Sequence, residues 1–284
     1  MRIVEYDPSR RADFAALMQR VWGERSDEEE LEWFFEGNPV RPASVLLGEL
    51  DGKVVGSVAM SFLRMSIGGE PTEVGMPVRL ATDPDYRGRG VFLELQSANE
   101  ERSRDLGVPL LLIVPNAASS PILRTRLDWR QLPGLRLWVR PRLLPSGRRA
   151  RRLERFEAAA AAGEAAGGDR VLRDADWLNW RFVGSPTQYE LVGPRGGGHG
   201  YGIARRRGRF GVVAAVDGGL VRATTAAAGG LAVAAAPPPW EHGRYARTGY
   251  LPTSRRFSML GKALAPGQSL PARPHLELGD LDFL

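Results

Sequence analysis

The residues with the clearest prospect of chemistry are Arg87, Gly88, Arg89 and Gly90. They follow Val78-Arg79-Leu80-Ala81-Thr82, in which Val78, Leu80 and Thr82 alternate at the strand period of two. Asp83-Pro84-Asp85 stops that strand, because proline fixes φ and has no N–H to donate. From Val91 the chain reads as a helix to about Leu106, with Val91, Leu95 and Ala98 near one stripe. Gly88 and Gly90 let the backbone turn sharply and expose its amides. A helix start with free N–H groups, the positive end of the helix dipole and two arginines is an anion site, and phosphate is the obvious anion. The bland alternative is a glycine turn with surface arginines.

Other catalytic arrangements are missing from the sequence. There is no cysteine, which excludes disulfides, thiolate zinc sites and a cysteine nucleophile. His199, His242 and His275 have no second histidine or carboxylate at metal-ligand spacing, so no metal site is expected. No G-x-S-x-G elbow occurs, and Ser119-Ser120 has no triad context. There is no Walker motif, and Gly196-Gly197-Gly198 lies outside a strand-to-helix setting.

Arg87-Gly88-Arg89-Gly90-Val91-Phe92, after the Thr-Asp-Pro-Asp-Tyr turn, resembles the acetyl-coenzyme A pyrophosphate loop of the GCN5-related N-acetyltransferases (GNAT), which runs Gln/Arg-x-x-Gly-x-Gly/Ala. Arg87 and Gly90 match its first two fixed positions. Phe92 departs from the last, so its side chain must point away from a ligand. The resemblance implies that acetyl-coenzyme A is the co-substrate and that Arg87, Gly88, Arg89, Gly90, Val91 and Phe92 surround its pyrophosphate. It further implies that the backbone of Leu80, Ala81 and Thr82 lines the acetyl-pantetheine. Asn116 stands where the family often contacts the pantetheine region; the same side chain also suits a helix N-cap, and the two roles are compatible.

Acetyl transfer to an amine needs a proton acceptor and help for the leaving thiolate. A base often lies on or beside the strand before the loop, and Glu73 is the nearest carboxylate upstream, with Asp83 downstream. Plain surface charge is the competing reading of Glu73. Many family members place a tyrosine four residues before the glycine of a later Gly-aromatic pair. Here Asp128-Trp129 is a variant of that pair, and counting back gives Arg124. An arginine there could act only electrostatically, because it stays protonated.

The elements around these residues follow the family's order over roughly residues 1–140. Asp7-Pro8 starts a helix carrying Phe14, Leu17, Met18 and Val21. Ser26-Asp27-Glu28-Glu29 starts another, with Leu31, Phe34 and Phe35, that ends at Gly37-Asn38-Pro39. Those two helices either wall a substrate cleft or simply cover a sheet. Asp51-Gly52 joins strands Ser44–Leu50 and Lys53–Phe62 as a hairpin. A turn at Gly68-Gly69 leads to Thr72–Gly75 and the strand before the loop. Val108–Pro115 reads as a buried central strand, Pro121–Arg126 as a short helix, and Arg130–Gln131 with Leu135–Val139 as a strand pair.

Residues 141–170 read as a linker: Arg148, Arg149, Arg151, Arg152 and Arg155 in a solvated basic helix, then an alanine-rich tract. Residues 171–284 read as a second, smaller α+β module. It has a helix around Trp177, Trp180 and Phe182, strands near 189–192, 200–205 and 210–216, a helix over Thr224–Ala236, and a strand from about Arg255 to Leu260. Gly249-Tyr250 matches the family's Gly-aromatic pair, and the phosphate loop is missing from this half. A degenerate second module is therefore expected, against an unrelated α+β cap domain. The tail from Leu270 either packs across a domain or stays loose.

The fold class expected is thus α+β: a mixed GNAT-like sheet with flanking helices, plus the degenerate second module. With 284 residues, 43% hydrophobic and 25% charged, the chain is ordinary for a globular protein with a sizeable core. No signal peptide or membrane span is visible, so a soluble, cytoplasmic protein without a membrane partner is expected. The +6 charge is arginine-dominated and gives little reason to expect nucleic acid. The implied activity is an acetyl-coenzyme A-dependent N-acetyltransferase acting on a small-molecule amine, such as an amino sugar or another metabolite. The alternative is a non-catalytic acyl-coenzyme A-binding or sensing protein of the same fold.

Overall fold

In the computed structural model, residues 1–23, 28–141, 150–158, 168–217 and 219–281 are described. The chain forms two compact units. One holds Met1–Met65, Pro71–Gln131 and Leu260–Leu270; the other holds Ser66–Glu70, Leu132–Met259 and Pro271–Leu284.

The first unit runs β1 (Arg2–Glu5), α1 (Arg11–Trp22), α2 (Glu28–Glu36), β2 (Ser44–Leu50), β3 (Lys53–Ile67), β4 (Glu70–Thr82), α3 (Val91–Asp105), β5 (Leu110–Ile113) and α4 (Ser119–Arg126). Its sheet is mixed, in the order β1-β2-β3-β4-β5 and then the segment Leu260–Ala263. β1, β2 and β3 are antiparallel neighbours, and β4 and β5 are parallel. Local signals account for these boundaries. The Asp7 carboxylate accepts the Ser9 N–H at 2.8 Å, with Pro8 at the first helical position. Asp51 and Gly52 both have positive φ, 51° and 74°, as a tight two-residue hairpin requires.

Helices cover both faces of this sheet. On one face, Phe14, Leu17 and Met18 of α1 and Leu31, Phe34 and Phe35 of α2 pack on Val45, Leu47, Val54, Ala59 and Ala81. On the other, Val91 and Leu95 of α3 pack on Leu46, Val55 and Val58. Each fully buried Leu or Phe contributes about 1.5–3 kcal/mol of transfer free energy. α3 seats closely because Gly56 has no side chain: a Cβ there would meet Val91 at 2.6 Å and Leu95 at 2.7 Å.

The second unit contains most of β6 (Arg130–Pro141), then β7 (Arg151–Arg152), β8 (Arg170–Val171), a short helix Ala175–Leu178 that widens over Asn179–Val183, β9 (Glu190–Gly193), β10 (Gly202–Arg207), β11 (Phe210–Val216), a helix Val221–Ala228, β12 (Ala232–Ala235), a helix His242–Arg247 and most of β13 (Leu251–Ala263). Its strand order is β13-β6-β12-β11-β10-β9-β7, with β11 and β12 parallel.

Several expectations are corrected. Thr224–Ala236 is not one helix. It breaks at Gly229 and Gly230, whose φ values are 62° and 87°, and resumes as β12. The backbone carbonyls there approach so closely that a Cβ on Gly211 would meet the Gly229 oxygen at 2.3 Å. Thr72–Gly75 belongs to a single long β4. Arg130–Gln131 and Leu135–Val139 are likewise one strand, which continues because Gly134 admits the Phe257 carbonyl where a Cβ would sit 2.1 Å from it. Arg151 and Arg152 form β7, paired with β9, rather than part of a basic helix. Arg148, Arg149 and the tract 159–167 lie outside the described residues, as do Ser26 and Asp27. The tail packs into the second unit. Arg181 donates to the Gly279 and Leu281 carbonyls at 3.0 and 2.8 Å. Among the described residues no helix is long and apolar enough to cross a membrane.

Candidate functional site

The site begins where β4 leaves β5. Their parallel register pairs Val74 with Leu110 and Gly75 with Leu111, near the start of each strand, whereas β4 continues to Thr82. At Arg79 the strand is interrupted by φ 49°, a left-handed conformation that a non-glycine residue rarely adopts. The carbonyl of Arg79 accepts the Ser57 hydroxyl at 2.9 Å. Val78 and Ala81 both pack on the α1/α2 side, and Leu80 packs with Val91 and Leu95 on the α3 side. The guanidinium of Arg79 lies over the Phe34 ring of α2, 5.7 Å from its centroid. One extra residue therefore faces α2, which is a β-bulge, and the simple Val78/Leu80/Thr82 alternation read from the sequence fails there.

The loop after β4 is anchored from below. Asp83 is buried, and its Oδ2 lies 2.8 Å from Arg20 Nε and 3.0 Å from Lys53 Nζ. Its Oδ1 accepts the Asp85 N–H at 3.2 Å, and its own N–H donates to the Val55 carbonyl at 2.8 Å. Burial pushes the Asp83 pKa up, but the hydrogen bonds from Lys53, Asp85 and Arg20 outweigh it and the net shift is downward. The carboxylate is thus committed to holding the loop, which removes it as a base. Tyr86 carries Lys53 and Arg89 over its ring, at 5.2 and 5.1 Å.

Arg87, Gly88, Arg89 and Gly90 are all exposed. Gly88 and Gly90 have φ values of 74° and 81°, and Gly90 is the N-cap of the fifteen-residue α3. The first backbone amides of α3 have no partner within the helix, and two exposed arginines, Arg87 and Arg89, directly precede them in the chain. Val91 is buried against β3. Phe92 packs into the cluster of Met60, Phe62, Leu111 and Trp129.

The remaining sequence candidates are dispersed. Asn116 is exposed after β5, and its Oδ1 accepts the N–H groups of Ala118 and Ser119 at 3.0 and 2.9 Å, so it closes the turn that leads into α4. Glu73 lies on β4 beside the paired stretch, 3.2 Å from Arg41 Nη2. Arg41 also donates to the Leu106 carbonyl and lies over Phe62. Arg124 is exposed on α4. Trp129 is buried and donates its indole N–H to Glu100 at 2.7 Å, and Glu100 also holds Lys262 at 2.5 Å.

Sequence reading missed the Arg20–Asp83–Lys53 anchor, the Glu100–Lys262 pair and the ion pair between Arg79 and Glu30 of α2, 2.7 Å apart. One signal was available for the first two. The basic residues number 39, and Lys53 and Lys262 are the lysines among them; each meets a buried carboxylate.

The arrangement can hold a phosphate at the α3 N-terminus and an extended chain along the part of β4 beyond its pairing with β5. Residues 2–131, a little under half the chain, match the family model described as an acetyltransferase (GNAT) domain. No curated protein matches the sequence. Among solved structures, a GCN5-related N-acetyltransferase from Kribbella flavida is 17% identical, with TM-score 0.64, over 92% of this chain and 70% of that one. Another from Anabaena variabilis is 11% identical, with TM-score 0.66, over 93% and 73%. A tandem GNAT protein from the clavulanic acid biosynthesis pathway is 13% identical, with TM-score 0.64, over 94% and 99%. At these identities the likeness shows the fold: the chain has a GNAT acetyltransferase fold, a mixed sheet with flanking helices.

Proposed function

We propose that the protein transfers an acetyl group from acetyl-coenzyme A to the amine of a small molecule. One observation carries this reading: the exposed Arg87–Gly90 turn joins a strand that parts from its neighbour to the N-terminus of α3. The amides of Gly88, Gly90 and Val91 with Arg87 and Arg89 hold the pyrophosphate. The backbone of Leu80, Ala81 and Thr82, past the bulge, lines the pantetheine, and Asn116, whose Oδ1 is taken by the Ala118 and Ser119 N–H groups, offers it its NH₂. Acetyl-coenzyme A supplies a thioester whose carbonyl carbon an amine can attack. The chain must then accept a proton and steady the leaving sulfur. Glu73 and Arg124 are the sequence's candidates for those roles.

The second unit reads as a degenerate repeat. Its order β9-β10-β11, helix, β12, helix, β13 repeats β2-β3-β4-α3-β5-α4-β6, including the parallel strand pair that flanks the first helix. That helix has eight residues rather than fifteen, and no arginine-glycine loop precedes it. Residues 1–140 are therefore assigned the single coenzyme A site, 171–284 the degenerate module, and 141–170 the link. A non-catalytic acyl-coenzyme A sensor is the second reading; the ion-paired Glu73 and the arginine at position 124 favour it.

Calorimetry with acetyl-coenzyme A tests the site. Wild type binds one equivalent, and Gly90→Glu, which adds bulk and like charge at the anion site, weakens binding at least about tenfold, the loss of one good charge-assisted contact. Unchanged affinity in that variant, or two equivalent sites per chain, removes the assignment. Free thiol release with a panel of amines separates enzyme from sensor.

A further inference from the structure

The end of α4 is held by side chains that no motif assigns. α4 finishes at Arg126, and the Leu123 carbonyl accepts the N–H groups of both Leu127 and Trp129, at 3.3 and 3.1 Å. Between those two residues stands Asp128 with φ 54°, a left-handed conformation that suits glycine and strains other residues. Each neighbour of Asp128 is clamped. Lys262 donates to the Leu127 carbonyl at 2.7 Å, and Trp129 donates its indole N–H to Glu100 Oε1 at 2.7 Å. Glu100 Oε2 and Lys262 Nζ, 2.5 Å apart, join the two halves of the clamp. Glu100 is buried on α3, and Lys262 lies on the β13 segment paired with β5. The second unit gives an internal comparison. There the helix His242–Arg247 is followed by Gly249, φ 90°, and Tyr250 shares a 2.9 Å hydrogen bond with Thr225 of the helix Val221–Ala228. In each unit the aromatic residue after the last helix is tied to the helix that follows β4 or β11. The second unit uses a glycine and a neutral hydrogen bond; the first uses an aspartate and a buried ion pair.

We propose, building on the cofactor site assigned above, that Glu100 and Lys262 are positioning residues for the coenzyme A arm. By holding Asp128 in its left-handed turn they fix the end of α4 against α3, and so set where Asn116 stands. α3 begins at the pyrophosphate turn, and α4 follows directly on the turn that Asn116 closes. The eight residues of α4 span about 12 Å as one stiff rod, so a shift at Leu127 is carried to its Asn116 end. Without the clamp, Asp128 relaxes toward ordinary φ and α4 turns with it. The pyrophosphate end of the cofactor rests on Arg87–Gly90 and the start of α3, which do not depend on α4. Loss of the clamp therefore weakens the hold on the arm and spares the hold on the pyrophosphate. A glycine at position 128 keeps the left-handed turn unaided, as Gly249 does in the second unit.

Calorimetry on the full chain compares coenzyme A with adenosine diphosphate, which carries a pyrophosphate and no arm. The main variant is Glu100→Met/Lys262→Met, which removes both charges together and leaves neither stranded. It should weaken coenzyme A by about tenfold, the loss of one good contact, while adenosine diphosphate affinity stays within about twofold of wild type. The retained nucleotide affinity also shows that the variant is folded. Glu100→Gln is the milder version: it keeps an acceptor for the indole and loses the charge, so about a threefold loss of coenzyme A affinity is expected, and it carries the test if the paired variant does not fold. Asp128→Gly alone should bind coenzyme A as wild type does. Added to either clamp variant it should restore most of the loss, the coupling expected of residues that act on one backbone conformation. Wild-type coenzyme A affinity in the clamp variants overturns the inference. Equal losses for the two ligands, or no recovery with Asp128→Gly, also overturn it, since the pair would then support the fold at large. Wild-type protein that binds no coenzyme A removes the cofactor site itself, and this inference with it.

Discussion

Lys53 holds Asp83 from beneath the loop, its ammonium 3.0 Å from the buried carboxylate and 5.2 Å from the centroid of the Tyr86 ring. Lys53 begins β3 and Asp83 follows β4, so the pair ties the turn to the sheet. Arg20 completes the anchor from α1. Asp83→Asn removes the charge and leaves two cations facing an amide. Both cations are partly exposed and stay hydrated, so the expected loss is about 1–3 kcal/mol in urea unfolding, the range for a broken charged hydrogen bond. Coenzyme A affinity should fall with it, because the loop loses its fixed position. Wild-type stability and affinity in Asp83→Asn would deny the anchor its role.

Arg79 presents a different balance. Its side chain makes the Glu30 contact, but its backbone sits at φ 49°. Arg79→Ala and Arg79→Gly remove the same ion pair, whereas only glycine relieves the left-handed strain. Arg79→Gly should therefore unfold at higher urea than Arg79→Ala, by about 0.5–1 kcal/mol after the entropy that glycine gains when unfolded. Equal midpoints would mean that the strand relaxes to ordinary φ once the arginine is gone.

The contrast between these two sites shows what the sequence could reveal. The Asp83–Gly90 turn was legible because proline and two glycines state their backbone requirements locally, and α3 starts at Val91 as expected. The Asp51-Gly52 hairpin was legible for the same reason. The bulge at Arg79 was not, since no residue there advertises positive φ; it follows from the packing of Val78 and Ala81 on one side. Glu30 was hidden because its partner lies across two elements rather than at a fixed spacing. The helix read over Thr224–Ala236 failed because alanine has high helix propensity but little power to mark a face, and Gly229-Gly230 decided the outcome. Arg151 and Arg152 were read by charge, yet their backbone serves as an edge strand.

Glu73, the carboxylate upstream of the loop, is tested by turnover. It lies beside the paired part of β4, 3.2 Å from Arg41. Glu73→Gln keeps the size and removes the basicity, so kcat should fall by about 10²–10⁴-fold at unchanged coenzyme A affinity. A kcat within about twofold of wild type would remove Glu73 from the reaction. Arg124 is exposed, so Arg124→Ala should shift stability by no more than about 0.5 kcal/mol. A fall in kcat in that variant, at unchanged coenzyme A affinity, is the expected mark of a charge that steadies the departing sulfur. Unchanged kcat would leave Arg124 as a surface residue.

In the second unit, Arg173 is buried with two carboxylates, 2.9 Å from Glu277 and 2.5 Å from Asp280. Glu277 Oε1 also accepts the Val216 N–H at 3.1 Å. One guanidinium cannot neutralise two buried carboxylates. Burial pushes the Glu277 pKa up, Arg173 pulls it down, Asp280 pushes it up again, and it rests at about 8. The unfolded chain releases this proton near 4.5. Between those values the folded protein holds a proton that the unfolded chain has lost, so stability from this group falls as pH rises from 4.5 through about 8. Glu277→Gln keeps the size and an amide oxygen for Val216 but has no proton to lose. Urea unfolding from pH 5 to 9 should show wild-type stability declining across that window, with the decline flattened in Glu277→Gln. Parallel pH profiles for the two proteins would mean that Glu277 is ionised in the folded state throughout.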